Sequence, residues 1–351
     1  MKKRALVTGI SGQDGAFLAK QLLERGYDVF GTYRRVSSPN FWRLTYLGIE
    51  KYVHLVPCDI LDGTSVFRVI KTIHPDYVYN LAAQSQVLAS FDSPVITSHI
   101  TGISVTNFLE AILRIDKSIK FYNAATSELF GNIGTEGKFD EEYPFKPSSP
   151  YAVAKQYAYW MTRVYRESYG IFAVNGILFN HESEIRGLEF VTRKISNEAA
   201  KIKLGISNKI MLGNIDSFRD WGYAPEYTDA MRMMLESDKA DDFIVASGET
   251  HQVKEFIKLA FEYLDLDYTE YLEISTKFKR PTDVNYLRGS YSKIDNLLGW
   301  RPRVKFQELV KIMVDADLER WKNIKAGNII PTDALFYDEN LMNFYSIEGH
   351  L

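Results

Sequence analysis

Thr8-Gly9-Ile10-Ser11-Gly12-Gln13-Asp14-Gly15 sets three glycines directly after a short apolar run, Ala5 to Thr8, and directly before an amphipathic stretch, Ala16 to Arg25. A strand that turns through glycines into a helix is how a parallel sheet with crossover helices begins. In that context the glycines permit a tight turn and let the backbone approach a pyrophosphate, whose charge faces the unpaired N–H groups of the helix start. A glycine-rich strand-to-helix turn that binds nothing is the plainer reading.

The pattern that follows keeps the same rhythm. Strands are expected at Asp28 to Tyr33, His54 to Val56, Tyr77 to Leu81, Lys120 to Asn123 and Phe172 to Phe179. Helices are expected at Ser65 to Ile73, Ile100 to Arg114 and Tyr151 to Tyr169. The chain therefore predicts an α/β fold, a doubly wound parallel sheet of the Rossmann type. After Asn180 the alternation weakens, although a helix at Thr228 to Glu236 and a strand at Phe243 to Ala246 can still serve the sheet. The expected division is residues 1–180 plus about 217–250 for the sheet domain. A smaller mixed α/β C-terminal lobe takes about 181–216 plus 251–351 and binds substrate.

Composition narrows the function. A net charge of -3, with 25% charged and 46% apolar residues, gives no basic excess for nucleic acid. One cysteine, Cys58, excludes an internal disulfide framework and fits a reducing compartment, so cytoplasm is the expected location. The apolar stretch after Arg4 is too short for a signal segment, and no run reaches membrane-spanning length. There is no internal repeat or low-complexity tract.

At the end of the second expected strand, Tyr33-Arg34-Arg35 and Ser37-Ser38 stand where an NAD enzyme places a carboxylate for the ribose hydroxyls. A guanidinium suits a 2′-phosphate, so the sequence favours NADP. Solvated loop charges or oligomer contacts would look the same. Asp59 can meet the adenine or cap a strand end. Tyr151 and Lys155 lie one helical turn apart on one face. The lysine is expected to lower a phenol pKa of about 10 by roughly one to three units, making Tyr151 a base. Thr126 and Glu128 fall after the fifth expected strand, at the sheet edge where ligands bind. Thr126 can donate to a forming ketone. Glu128 can remove a proton beside it and then act as an acid, unless it is only a helix-start carboxylate.

These residues, with Asn80-Leu81-Ala82-Ala83-Gln84-Ser85, Asn180-His181-Glu182-Ser183, Val191-Thr192-Arg193-Lys194 and Arg219-Asp220-Trp221-Gly222, resemble the extended short-chain dehydrogenase/reductases and, within them, the GDP-mannose 4,6-dehydratase family. The resemblance reaches to about Asp317. It implies NADP held by Gly9, Ile10, Ser11, Gly12, Gln13, Asp14, Gly15, Arg34, Asp59, Ile60, Leu81, Ala82, Ala83, Gln84, Ser85, Lys155, His181 and Arg186. Thr126, Glu128, Tyr151 and Lys155 would be catalytic. A GDP-sugar substrate would meet Ser85, Asn180, Lys194, Arg219, Arg280 and Asp283. A homodimer or homotetramer is implied, with the loop from Arg35 to Ser38 crossing to a neighbour. Three places depart from the family: Glu184-Ile185, Ile96 and Gln86-Val87-Leu88, all expected near the sugar and nicotinamide pockets. They leave a GDP-manno-heptose as an alternative substrate. A 4-epimerase or reductase, and a non-catalytic NADP-binding sensor, are the more distant readings.

Overall fold

The computed structural model describes residues 2–38, 40–132, 137–275, 282, 284–328 and 330–331. Strands β1 (Arg4–Thr8), β2 (Asp28–Tyr33), β3 (His54–Pro57), β4 (Tyr77–Asn80), β5 (Lys120–Thr126) and β6 (Ala173–Leu178) alternate with helices α1 (Gln13–Glu24), α2 (Trp42–Tyr46), α3 (Gly63–Ile73), α4 (Val87–Asp92), α5 (Pro94–Thr97), α6 (Ser104–Ile115) and α7 (Pro150–Tyr169). Then come β7 (Asn180–Glu182), α8 (Val191–Lys203), β8 (Ile210–Leu212), β9 (Phe218–Arg219), β10 (Trp221–Tyr223), α9 (Ala224–Glu236) and β11 (Asp242–Val245). The described chain continues with β12 (His251–Gln252), α10 (Val253–Glu262), β13 (Leu272–Ile274), α11 (Ser292–Leu298) and α12 (Phe306–Lys325).

Seven strands form one parallel sheet in the order β11-β6-β5-β4-β1-β2-β3. The order reverses between β1 and β4, and the crevice of a doubly wound sheet opens at such a reversal. Because side chains alternate along a strand, β1 feeds two cores. Ala5 and Val7 pack with α1 and α9 through residues such as Leu18 and Met231, while Leu6 joins Val66, Ile70, Phe108 and Ile112 from α3 and α6. A third core lies away from the sheet, where Ile195 and Ala199 of α8 meet Phe256 and Ile257 of α10 and Met313 and Val314 of α12.

The expected strands and crossover helices occur, with two instructive shifts. The fifth strand runs three residues beyond Asn123, so Thr126 is its last residue. The helix expected from Ile100 is a π-helical turn, Ser98–Ile103, that leads into α6. That turn packs against α7 at Gly102, where a Cβ would lie 3.0 Å from the carbonyl oxygen of Ala154. Among the described residues no helix is long and apolar enough to cross a membrane.

Candidate active site

At the glycine loop, Gly9 adopts a φ of +68°, and a Cβ there would meet the Ala82 nitrogen at 3.0 Å. A Cβ on Gly15 would sit 2.4 Å from the Gly9 carbonyl oxygen, so α1 can begin beneath the loop only if that residue is glycine. Gly12 precedes α1 and makes no side-chain cap, leaving the first-turn N–H groups for an anion along the cleft. The loop therefore fits a dinucleotide pyrophosphate. Ile10 is fully buried in the core beneath the loop and keeps its side chain out of the cleft.

Gln13, Asp14 and His181, expected against the cofactor, also hold one another. His181 Nε2 lies 2.8 Å from Asp14 Oδ2, and its Nδ1 lies 2.7 Å from the Phe179 carbonyl oxygen. Gln13 donates to Asp14 and to the His181 carbonyl, and Ser183 donates to Gln13. Burial opposes ionisation of Asp14, yet the charge and hydrogen bond of His181 bring its pKa down to about 2. Burial likewise opposes the His181 cation, and Asp14 outweighs it to raise the imidazole above its ordinary value. This ion pair ties the start of α1 to β7.

Arg34 stands exposed on the cleft rim. Asp59 lines the same rim while one carboxylate oxygen accepts from Leu61 N at 3.0 Å, the strand-end cap. Ile60, Leu81, Ala82, Ala83, Gln84 and Ser85 line the cleft as it passes the switch point. The Thr8 hydroxyl oxygen accepts from the backbone N–H groups of both Leu81 and Ala82 at 2.9 Å, which holds that segment against β1.

Thr126, Glu128, Tyr151 and Lys155 meet at the carboxyl end of β5 and the start of α7, each at most 8% exposed. Ser149 caps α7 by accepting from Ala152 N, with Pro150 at the first helical position, so the helix starts where Tyr151 can reach Thr126. Burial pushes the Tyr151 phenol up, a hydrogen bond with Thr126 pulls it down, and the charge of Glu128 pushes it up again. The expected control by Lys155 is not what this geometry provides. The ammonium donates to the Ala124 carbonyl at 2.6 Å and lies 5.9 Å from the Tyr151 ring centre. Burial brings the Lys155 pKa down to about 8.

On the far side of the same cleft stand Asn180, Lys194 and Arg219. Asn180 Oδ1 is buried without a hydrogen-bond partner, the condition of an atom that faces a ligand. Arg186 pairs with Glu182 at 3.1 Å and stacks 3.5 Å from the centre of Phe190. Arg280 and Asp283 lie outside the described residues. The cleft is continuous at about 1430 Å³, above the roughly 300–1,000 Å³ of an ordinary small-ligand pocket, and suits two ligands end to end.

Several supporting residues were given no role by the sequence. Arg43 donates to the carbonyls of Ser11 and Ile185. Asp220, wholly buried, accepts from Ser247 N, Ser247 Oγ, Gly248 N and Gly289 N at 2.7–3.0 Å. Burial outweighs those bonds and lifts its pKa to about 6. Of the three departures, Gln86, Val87 and Leu88 line the cleft, whereas Ile96 lies 43% exposed outside it. Ile185 is buried in the sheet core, and Glu184 sits beside Tyr223 rather than in the cleft. Of the three segments expected near the sugar and nicotinamide pockets, only Gln86-Val87-Leu88 therefore lines the cleft.

Phosphate loop, switch-point cleft and a Tyr-x-x-x-Lys pair beside a carboxylate define an enzyme of the extended short-chain dehydrogenase/reductase class. The model of the family described as GDP-mannose 4,6 dehydratase matches residues 6–313. The chain is 46% identical over 334 residues to GDP-mannose 4,6 dehydratase 1 of Arabidopsis thaliana, covering 92% of each chain. It is 43% identical over 340 residues to the human GDP-mannose 4,6 dehydratase, covering 90% and 91%. Among solved structures it is similar to the UDP-glucose 4-epimerase of Thermus thermophilus in complex with NAD, at TM-score 0.78 and 25% identity, covering 90% and 98%. The chain belongs to the GDP-mannose 4,6 dehydratase family, and the nucleotide-sugar 4,6-dehydratase activity expected from its motifs stands.

Proposed function

We propose that the chain converts GDP-mannose to GDP-4-keto-6-deoxymannose and water, with NADP as its resident cofactor. The observation that carries this reading is the placement of Glu128: its charge acts on Tyr151, which is hydrogen-bonded to Thr126. A 4-epimerase or a reductase has no step that needs this carboxylate.

The loop from Gly9 to Gly15, Arg34 and Lys155 would hold the cofactor, which takes electrons from C4 of the sugar and returns them to C6. Tyr151 takes the C4 hydroxyl proton, and Thr126 donates to the oxygen as it becomes a ketone. The ketone acidifies C5, whose proton passes to Glu128. Glu128 gives that proton to the C6 hydroxyl, which leaves as water, and the proton that Tyr151 took from the C4 hydroxyl passes to C5 as the electrons return to C6, so the sum is the loss of one water. Lys194, in the lobe of about 181–216 plus 251–351, and Arg219, in the 217–250 segment beside it, bind the diphosphate. The absence of a carboxylate at the end of β2, with Arg34 on the rim, supports NADP over NAD.

A homo-oligomer is part of the proposal. Val153, Tyr157, Trp160 and Val164 recur at helical spacing along α7 and are 42–55% exposed, an apolar face that a second copy can cover. Trp160→Asp should shift the protein to monomer in light scattering.

The test is mass spectrometry of the purified protein with GDP-mannose and, separately, GDP-manno-heptose, without added reductant. Loss of one water from GDP-mannose supports the reading, loss only from the heptose reassigns the sugar, and loss from neither sinks the substrate assignment.

A further inference from the structure

Two hydroxyl groups hold the segment that leaves β4 and runs along the cleft. Thr8 takes its near end, at Leu81 and Ala82. The far end belongs to Thr101, which is 2% exposed in the π-helical turn Ser98–Ile103. The Thr101 hydroxyl oxygen accepts from Gln84 N at 3.1 Å, and the same hydroxyl donates to the Gln84 carbonyl at 3.3 Å. One side chain thus satisfies both backbone groups of one residue, as a neighbouring strand would. Among the described residues the Gln84 backbone makes no other hydrogen bond. Thr101 itself does not line the cleft.

The turn that carries Thr101 is fastened to the helix of Tyr151 and Lys155 by its next residue. Gly102 lies flat on α7, where a Cβ would stand 3.0 Å from the Ala154 carbonyl oxygen and 3.5 Å from the Tyr157 ring. Ala154 directly precedes Lys155 and lies one turn beyond Tyr151. Within the turn, Ser104 Oγ donates to the Ile100 carbonyl at 2.6 Å. Single π-helical turns are uncommon and recur at functional sites. Here two adjacent residues reach in two directions. Thr101 holds Gln84 and Gly102 holds α7, and Gln84, Ser85, Tyr151 and Lys155 all line the cleft. The distance between these two linings matters to the chemistry, because a misplacement of about 1 Å can cost roughly 10²-fold in rate.

We propose that Thr101 is a positioning residue. Its hydroxyl fixes Gln84 and Ser85 relative to α7 and so sets where the nicotinamide end of the cofactor lies against Tyr151, while Thr101 touches neither cofactor nor sugar. This role rests on the reading of the chain as an NADP-dependent dehydratase and adds to it the contact that keeps the two linings in register.

Thr101→Val keeps the shape of the side chain and removes the hydroxyl, whereas Thr101→Ser keeps the hydroxyl. Wild type and both variants are assayed for water loss from GDP-mannose at saturating NADP. Binding is measured for NADPH, by its nicotinamide fluorescence, and for adenosine 2′,5′-bisphosphate, the half of the cofactor that ends at Arg34, by calorimetry. In Thr101→Val, kcat should fall about 10- to 100-fold while KM for GDP-mannose stays within about threefold. NADPH should bind the same variant about tenfold more weakly, and the bisphosphate should bind within about twofold of wild type. Thr101→Ser should remain within about threefold of wild type in every readout. Unchanged kcat or NADPH affinity in Thr101→Val, equal weakening of both ligands, or a serine variant as impaired as the valine one overturns the assignment. Should Thr101→Val not fold, Thr101→Ala removes the hydroxyl without a branched replacement and is read by the same outcomes. Selective loss of NADPH affinity in a protein whose wild type removes no water from GDP-mannose would leave the role of Thr101 standing and defeat the proposed reaction.

Discussion

In the sheet half, α3 meets α6 through Val66, Val69, Ile70, Phe108 and Ile112, apolar contacts at the helix repeat. In the lobe, α8 also meets α12 through polar groups: Arg193 Nε of α8 binds Asp317 of α12 at 2.8 Å and Ser196 Oγ binds it at 2.6 Å, while Arg320, one turn along α12, holds the same carboxylate at 2.5 Å, all buried. Apolar packing is non-directional and tolerates small slips, whereas an ion held by three donors has one geometry. The polar join lies beside Lys194 and Asn197, which line the cleft on the same helix. Precision is thus spent where a ligand must be gripped, and the sheet half obtains it instead from strand register.

The largest effect should come from Glu128→Gln, which separates chemistry from architecture. Dehydration should fall about 10²- to 10⁴-fold, the usual worth of a positioned acid–base group, while thermal unfolding and GDP binding hold. Normal dehydration by this variant would remove Glu128 from the mechanism. Asp317→Ala addresses the contrast directly, since it leaves two buried guanidinium groups without their shared carboxylate. Stability should drop by about 3–5 kcal/mol, and hydrogen exchange should speed up in α8 and α12 before β5 or β6. Equal loosening of both regions would break the comparison.

Titration sharpens it further. Asp14, held at about 2, contributes stability that is present above its unfolded pKa of 3.8 and lost as pH falls through about 2. His181, raised, contributes stability present below 6.5 and lost as pH rises through its folded value. Asp220 has the opposite sign to Asp14: its raised pKa gives stability that is full below 3.8 and is lost as pH rises through about 6. Urea unfolding from pH 3 to 7 should show Asp220→Asn removing a decline of up to about 3 kcal/mol between pH 4 and 6. A decline unchanged in Asp220→Asn would mean that this carboxylate does not set it. The smallest effect is expected at the exposed rim, where Arg34→Ala should lower the preference for NADP over NAD about tenfold in direct binding; an unchanged preference would place the 2′-phosphate elsewhere.

The sheet half was legible because its signals are local. Strand period, glycine spacing and the one-turn offset of Tyr151 and Lys155 are all written within a few residues, and the structure gathers those residues in one cleft. What failed there involved neighbours across strands: the Ala124 carbonyl that engages Lys155 belongs to β5, not to α7. The lobe was harder for the same reason on a larger scale. In α8, Val191, Ile195, Ala199 and Ile202 do recur at helical spacing, but the charged residues Arg193 and Glu198 between them are buried as well. Their partners cannot be paired from spacing alone, because Asp317 lies more than a hundred residues from Arg193. Asp220 likewise draws its donors from Ser247, Gly248 and Gly289.

The last strand of the sheet has a consequence for how the chain is made. β6 ends at Leu178, and its outer neighbour β11 does not begin until Asp242, after the chain has passed through the lobe and back. During synthesis, at about 5–20 residues per second, β6 waits for seconds as an open edge of Val, Ile and Leu with unpaired backbone groups. The protein is most exposed to wrong pairing in that interval, and a nascent chain stalled before residue 242 should engage chaperones that one stalled beyond α11 escapes.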